Sequence, residues 1–193
     1  MRFEFKRLEI PDVILIKPKV FEDERGFFME TYRKEEFEKA GIKEEFVQDG
    51  HSRSKYGVLR GLHFQKEPYA HAKLVRCTKG IIYDVVVDLR RDSPTFGKYA
   101  SVILSEFNKY ILYVPKGFAH GFVVLSEEAD VLYKFDKPYN PEYYRGLVWN
   151  DPDVNIKWPI DNPIVSLQDQ KWPTLKELIK YEDCNNRGEG DLI

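Results

Sequence analysis

Five short apolar runs dominate the middle of the chain: "IYDVVVDLR" (82–90), "YASVILS" (99–105), "YILYVP" (110–115), "GFVVLS" (121–126) and "DVLYKF" (130–135). In the first, Tyr83, Val85, Val87 and Leu89 share one face while Asp84, Asp88 and Arg90 share the other, which is the two-residue period of a strand. The connections "EFNK", "KGFAH" and "EEA" are too short to hold a crossover helix. Parallel pairing needs such crossovers, so these strands pair antiparallel, in a sandwich or a barrel. Helical patterning is confined to the flanks. "KEEFEKAG" (34–41) reads as a short helix ended by Gly41, and "TLKELIKYED" (174–183) as a second, with Thr174 as N-cap and Glu177 completing a capping box.

The 193 residues contain no Gly/Ser-rich or Pro-rich linker. One domain over 1–193 is therefore expected, with length enough for one substantial core. The 12 Tyr and 13 Phe suit an aromatic-lined β architecture. A formal net charge of −2 without a basic run gives no reason to expect nucleic acid or an acidic membrane surface as partner. The opening "MRFEFKRLEIPDV" lacks the apolar core of a signal peptide, and no stretch approaches the length of a membrane span, so a cytoplasmic location is expected. Cys77 and Cys184 lie far apart in sequence without metal-ligand spacing, and both are expected to be reduced thiols.

The stretch "RGLHFQ" (60–65) places Arg60 and His63 beside a glycine where polar sequence turns apolar. Strict alternation would send Arg60 and His63 to opposite faces. A site that used both would need a bulge or bend at Gly61, a residue type that often marks such a break. The spacing resembles that of the cupins, small β-barrels with a first motif of Gly, five residues, His-x-His, then Glu and Gly, and a second motif built on Pro-x-Gly-x-x-His. Gly57, His63 and Gly80 fall in the first frame, and Pro115, Gly117 and His120 in the second. The metal ligands do not follow. Gln65 stands where the second His belongs and Lys73 where the Glu belongs, and an ammonium cannot ligate a divalent cation. No metal and no organic cofactor are expected. Tyr133 shares a face with Val131 and Phe135, so its ring should point inward and its hydroxyl should find a partner, in the plainest case a backbone carbonyl. Asp169, among polar neighbours, reads on pattern alone as a surface turn aspartate.

A closer resemblance covers residues 20 to 172. "ERGFFMETY", "FVQD", "GVLRGLHFQ", "KLVRC", "GIIYDVVVDLR", "SPTFGKY", "VPKGFAHGFVVLS", "YKFDKPYNP", "WNDPDVNIKWP" and "LQDQ" are similar to the dTDP-4-dehydrorhamnose 3,5-epimerases, metal-free cupins that invert two carbons flanking a ketone. The resemblance implies an all-β, cupin-type antiparallel jelly roll with short peripheral helices. It also implies a dTDP-ketosugar substrate and a homodimer with sites near the subunit interface. By resemblance His63 is the base, Tyr133 the acid on the far side, Asp169 the carboxylate that orients His63, and Lys73 the cation near the enolate oxygen. Arg25 and Arg60 match cations on the diphosphate. Glu30, Gln48 and His120 match polar substrate contacts, and Tyr139 matches an aromatic stacked on the thymine. The segment bearing Arg25 and Glu30 reaches the neighbouring subunit's site in that family. Three positions depart from the family pattern: Gly50 for Asn, Tyr144 for Glu and Gln168 for Lys. All three are binding positions. A single-carbon epimerase acting on a related nucleotide ketosugar, and a non-catalytic cupin that binds a nucleotide sugar, remain as alternatives.

Overall fold

The structure is a computed structural model that describes residues 2–186, with side chains through Tyr181. In chain order its strands are β1 (Phe3–Arg7), β2 (Ile14–Pro18), β3 (Val20–Asp23), β4 (Gly26–Met29), β5 (Gln48–Lys55), β6 (Val58–Gln65) and β7 (Lys73–Lys79). There follow β8 (Ile81–Asp88), β9 (Tyr99–Ser105), β10 (Ile111–Val114), β11 (Phe118–Val124), β12 (Glu128–Phe135), β13 (Tyr144–Gly146) and β14 (Ile164–Val165). Helix α1 (Lys34–Lys39) lies between β4 and β5, and α2 (Leu175–Asn186) comes last.

One sheet runs β1-β2-β10-β7-β12-β5 and the other β13-β6-β11-β8-β9, with β14 added beside β6. All pairings are antiparallel except β14 with β6. This bears out the antiparallel pairing anticipated from the spacing of the apolar runs, in the jelly-roll form that the resemblance implied. Strands β3 and β4 form a separate two-stranded arm.

Three apolar layers follow from the alternation of side chains. Between the sheets, Leu15, Val75, Leu112 and Val131 of the first meet Ile82, Val86, Leu104 and Phe122 of the second. Outside the first sheet, Phe3, Ile16, Leu74 and Ile111 pack on Phe37 of α1. Outside the second, Leu62, Val85, Val87 and Ala119 pack on Leu175 and Leu178 of α2. Strand β8 is therefore covered on both faces. Its acidic side, Asp84 and Asp88, is completely buried on the same face as Ile82 and Val86.

Helix α1 stops two residues short of Gly41. The capping box of α2 is present: the Thr174 N–H and hydroxyl donate to Glu177 Oε2 at 2.7 and 2.8 Å, and the Glu177 N–H donates to Thr174 Oγ1 at 3.4 Å. The helix runs to Asn186 rather than ending at 183. Cys77 is a free, buried thiol, while the Cys184 side chain lies outside the described ones. No helix among the described residues is long and apolar enough to cross a membrane.

Candidate active site

Strand β6 builds one wall. Its pairing with β11 joins Arg60 to Phe122 and His63 to His120, so Gly61 and Leu62 stand opposite Gly121 alone. That extra residue is a β-bulge at the position anticipated from the sequence. Gly61 has φ +136, and a Cβ there would lie 2.6 Å from the Gly121 Cα, so no other residue fits without shifting the neighbouring strand. The consequence is a change of face. Leu62 turns outward into the α2 layer, while Arg60 and His63 both line one cavity of about 320 Å³.

Behind His63 stands Asp169, in a single 3-10 turn (Asp169–Lys171). His63 Nε2 lies 2.6 Å from Asp169 Oδ1, and Trp172 Nε1 donates to the same oxygen at 3.0 Å. The Gly61 amide approaches the other oxygen at 3.4 Å. Burial alone would raise the Asp169 carboxyl, but the hydrogen bonds from His63, Trp172 and Gly61 hold it below the usual carboxylate range. An ionised carboxylate only accepts, so His63 carries its proton on Nε2 and keeps the Nδ1 lone pair free to take another. Asp169 is only 5% exposed, which overturns the surface reading of its polar neighbourhood. The turn is pinned by Trp172, whose indole lies where a Cβ on Gly146 would be, about 2.4 Å from the ring atoms.

The opposite wall comes from the other sheet. On β12, Tyr133 is paired in register with Gly50 of β5 and Val75 of β7, and its ring stacks on Phe135 at 5.8 Å. Its hydroxyl meets Ser52 Oγ at 3.0 Å, where the pattern had suggested a backbone carbonyl. Burial raises the phenol above its ordinary range, so it stays protonated. Lys73, paired with Phe135, is 5% exposed, and burial lowers its ammonium to about 8, with Asp84 offsetting part of the effect. Its Nζ lies 6.0 Å from the Phe135 ring centroid and reaches no hydrogen-bond acceptor among the described residues. His120 donates to both Asp84 oxygens at 3.0 Å, and burial, the largest influence, lowers its pKa. The cavity thus sets a base and its carboxylate on one wall, and a protonated phenol and a buried cation on the other.

Gln48, Arg60, His63, Lys73, His120, Tyr133 and Tyr139 all line this cavity. Arg60 Nε donates to Ser54 Oγ at 2.8 Å, and Gln48 Oε1 accepts the Tyr139 N–H at 3.0 Å. Tyr139 is 56% exposed at the rim, 5.3 Å from the ring of Tyr144. Tyr144 in turn lies 5.1 Å from His63. Arg25 and Glu30 are not among the lining residues of their own chain. Arg25 sits on the arm, its side chain 85% exposed and paired with Asp23. Sequence reading missed Ser52, His71, Asp84 and Trp172. Asp84 carried a legible signal, an acid on a face shared with Ile82 and Val86 as well as Asp88, and so did His71, two residues before Lys73 in extended chain. A larger groove of about 910 Å³ between β1, β2 and α1 contains no comparable acid–base set.

Known proteins resemble the chain over nearly its whole length. The sequence profile described as dTDP-4-dehydrorhamnose 3,5-epimerase matches residues 7–177. A relative of that name from Shigella flexneri is 56% identical over 164 residues, covering 84% of this chain and 91% of that one. The crystal structure of a dTDP-6-deoxy-D-glucose-3,5-epimerase from Legionella pneumophila, in complex with dTDP-4-keto-L-rhamnose, superposes with a TM-score of 0.87 at 43% identity, covering 90% of this chain and 93% of that one. A 3'-monoepimerase from Streptomyces bikiniensis, in complex with dTDP-quinovose, reaches 0.83 at 31% identity, covering 94% and 90%.

Proposed function

Since the chain belongs to the dTDP-4-dehydrorhamnose 3,5-epimerase family, we propose that its barrel cavity inverts carbons 3 and 5 of dTDP-4-dehydro-6-deoxy-D-glucose, giving dTDP-4-dehydro-L-rhamnose for dTDP-rhamnose biosynthesis. The observation that carries the reading is the His63–Asp169 pair facing Tyr133 across the cavity. Hydrogens beside a ketone are acidic because the carbanion delocalises onto oxygen. His63 Nδ1 removes one, the C–H electron pair moves into the carbonyl, and the resulting enolate oxygen is stabilised by the Lys73 ammonium. Tyr133 then donates its proton from the opposite face, and both groups return to their starting states by exchange with solvent. The same cycle serves each carbon.

Arg60 holds the diphosphate, a task suited to its forked donors. Tyr139 stacks on the thymine at the rim, and Gln48 and His120 supply polar contacts. A homodimer completes the site, the arm of one subunit carrying Arg25 and Glu30 to the cavity of the next. Support for this comes from Phe27 and Phe28, 58% and 65% exposed on the arm, and from Glu30 Oε2, which is buried without a partner among the described residues. The enzyme works in the cytoplasm without metal or organic cofactor. Identity of 56% to a 3,5-epimerase against 31% to a single-carbon epimerase favours inversion at both carbons.

The test is incubation with the dTDP-ketosugar in deuterated water, followed by NMR of the sugar. Label at carbons 3 and 5 with the L configuration is expected. Label at one carbon would identify a single-carbon epimerase, and binding without label a non-catalytic protein.

A further inference from the structure

His71 lines the cavity beside Lys73, and its hydrogen bonding is incomplete. The Asn140 N–H donates to Gln65 Oε1 at 2.7 Å, which turns the amide nitrogen of Gln65 toward the ring. That nitrogen has two hydrogens, and its two nearest acceptors are the Tyr69 carbonyl at 2.8 Å and His71 Nδ1 at 2.9 Å, with the Pro138 carbonyl farther off at 3.2 Å. An amide nitrogen has no lone pair to offer, so Nδ1 is the acceptor and the ring proton resides on Nε2. Nε2 is buried and meets no partner among the described residues. A buried donor without an acceptor calls for a reason, and His71 is one of the residues that line the reaction cavity.

Its placement is fixed. Residues 71 and 73 fall on one face of extended chain, while Ala72 between them is buried in the outer layer. The Ala72 N–H donates to Asp136 Oδ1 at 2.7 Å, and the Asp136 N–H returns to the Ala72 carbonyl at 3.3 Å. Burial, with Lys73, His120 and Lys116 adding repulsion, pushes the imidazole down to about 3. The ring is therefore neutral at any working pH and does not repel the ammonium beside it. A neutral imidazole can polarise a carbonyl in this way.

We propose that His71 is a second oxyanion donor, its Nε2–H joining the Lys73 ammonium on the ketone oxygen of the substrate as that oxygen gains charge in the enolate. The inference rests on the epimerase reading and adds a residue to it. Losing one such donor lowers turnover by a factor on the order of 100. His71→Leu should show that loss in kcat, with dTDP affinity by calorimetry unchanged and deuterium exchange falling equally at both carbons, because one enolate oxygen serves both. His71→Gln, which keeps an N–H donor, should recover part of it. In the wild type, the His71 imidazole should show Nε2 protonated by nitrogen-15 NMR, with a resonance that moves when the ketosugar binds but not when dTDP binds. Wild-type kcat in folded His71→Leu, or an unmoved resonance, overturns the inference. Absence of exchange in the wild type would instead overturn the epimerase reading beneath it.

Discussion

The role proposed for Lys73 comes at the expense of stability, and Lys73→Met exposes the exchange. Burial lowers its folded pKa from the ordinary 10.5 to about 8. That difference is equivalent to roughly 3 kcal/mol of penalty for holding an ammonium in the cavity wall. Below pH 8 both folded and unfolded chains carry the charge, and the penalty is fully present. Between pH 8 and 10.5 the folded state sheds its proton while the unfolded chain retains it, so wild-type stability gains as pH rises. The Met variant, with a stem of similar length and no charge, should be more stable than the wild type by up to about 3 kcal/mol at pH 7. The gap should narrow toward pH 10. Urea unfolding of both proteins at equal concentration, at pH 7 and pH 10, measures it. A variant no more stable than wild type at pH 7, or a gap indifferent to pH, would refute the placement of a desolvated cation here. Activity should move oppositely. The variant should be inactive, and wild-type kcat should decline as pH rises through about 8, where Lys73 loses its proton.

Arg60→Ala should weaken dTDP binding in calorimetry by about 1.5–3 kcal/mol, the range of a hydrogen bond to a charged group, and slow exchange in the bound sugar much less. Unchanged affinity would contradict its assignment to the diphosphate. Activity should survive a strong chelator, because Gln65 is engaged by Asn140 and His71, and Lys73 fills the remaining ligand position; loss of activity that a divalent metal restores would oppose this. Asp88 is buried under Arg90, Ser93 and Thr95, whose hydrogen bonds outweigh burial and hold its pKa at about 2. Asp88→Ala should destabilise by about 1–3 kcal/mol, since it takes the acceptor from the Ser93 and Thr95 hydroxyls while Arg90 keeps Asp12. In the wild type this carboxylate's contribution should fade from about pH 4 toward pH 2, which acid unfolding of wild type and variant would compare.

The strands were legible because side chains alternate, and the start of α2 and the end of α1 because capping and glycine chemistry are local. Gly61 was legible for a different reason: two side chains needed on one face were spaced for opposite faces. Asp169 was not legible. Its burial depends on Trp172 packing over Gly146, a contact between segments far apart in sequence, and its neighbours Gln168 and Gln170 read as surface. The orientation of β8 was also hidden, since a face with two aspartates points between the sheets only because Arg90 and His120 meet them there. Ser52 was missed because a small polar residue on an edge strand carries no signal until Tyr133 is seen opposite it. At Gly50, paired with Tyr133, a Cβ would come within 3.3 Å of Phe135, so the absent side chain leaves the aromatic wall its room.

The central claim is that His63 removes the proton and Tyr133 returns it from the other face. Deuterium incorporation set against product configuration, in folded His63→Ala and Tyr133→Phe, tests it most directly. His63→Ala should lose exchange at both carbons, because without the base no enolate forms. Tyr133→Phe keeps the ring on Phe135 and removes only the hydroxyl, so it should still exchange label through His63 while yielding inverted sugar about 100- to 10,000-fold more slowly. Inversion at the wild-type rate in Tyr133→Phe would contradict the assignment of the acid, and exchange undiminished in His63→Ala would contradict that of the base.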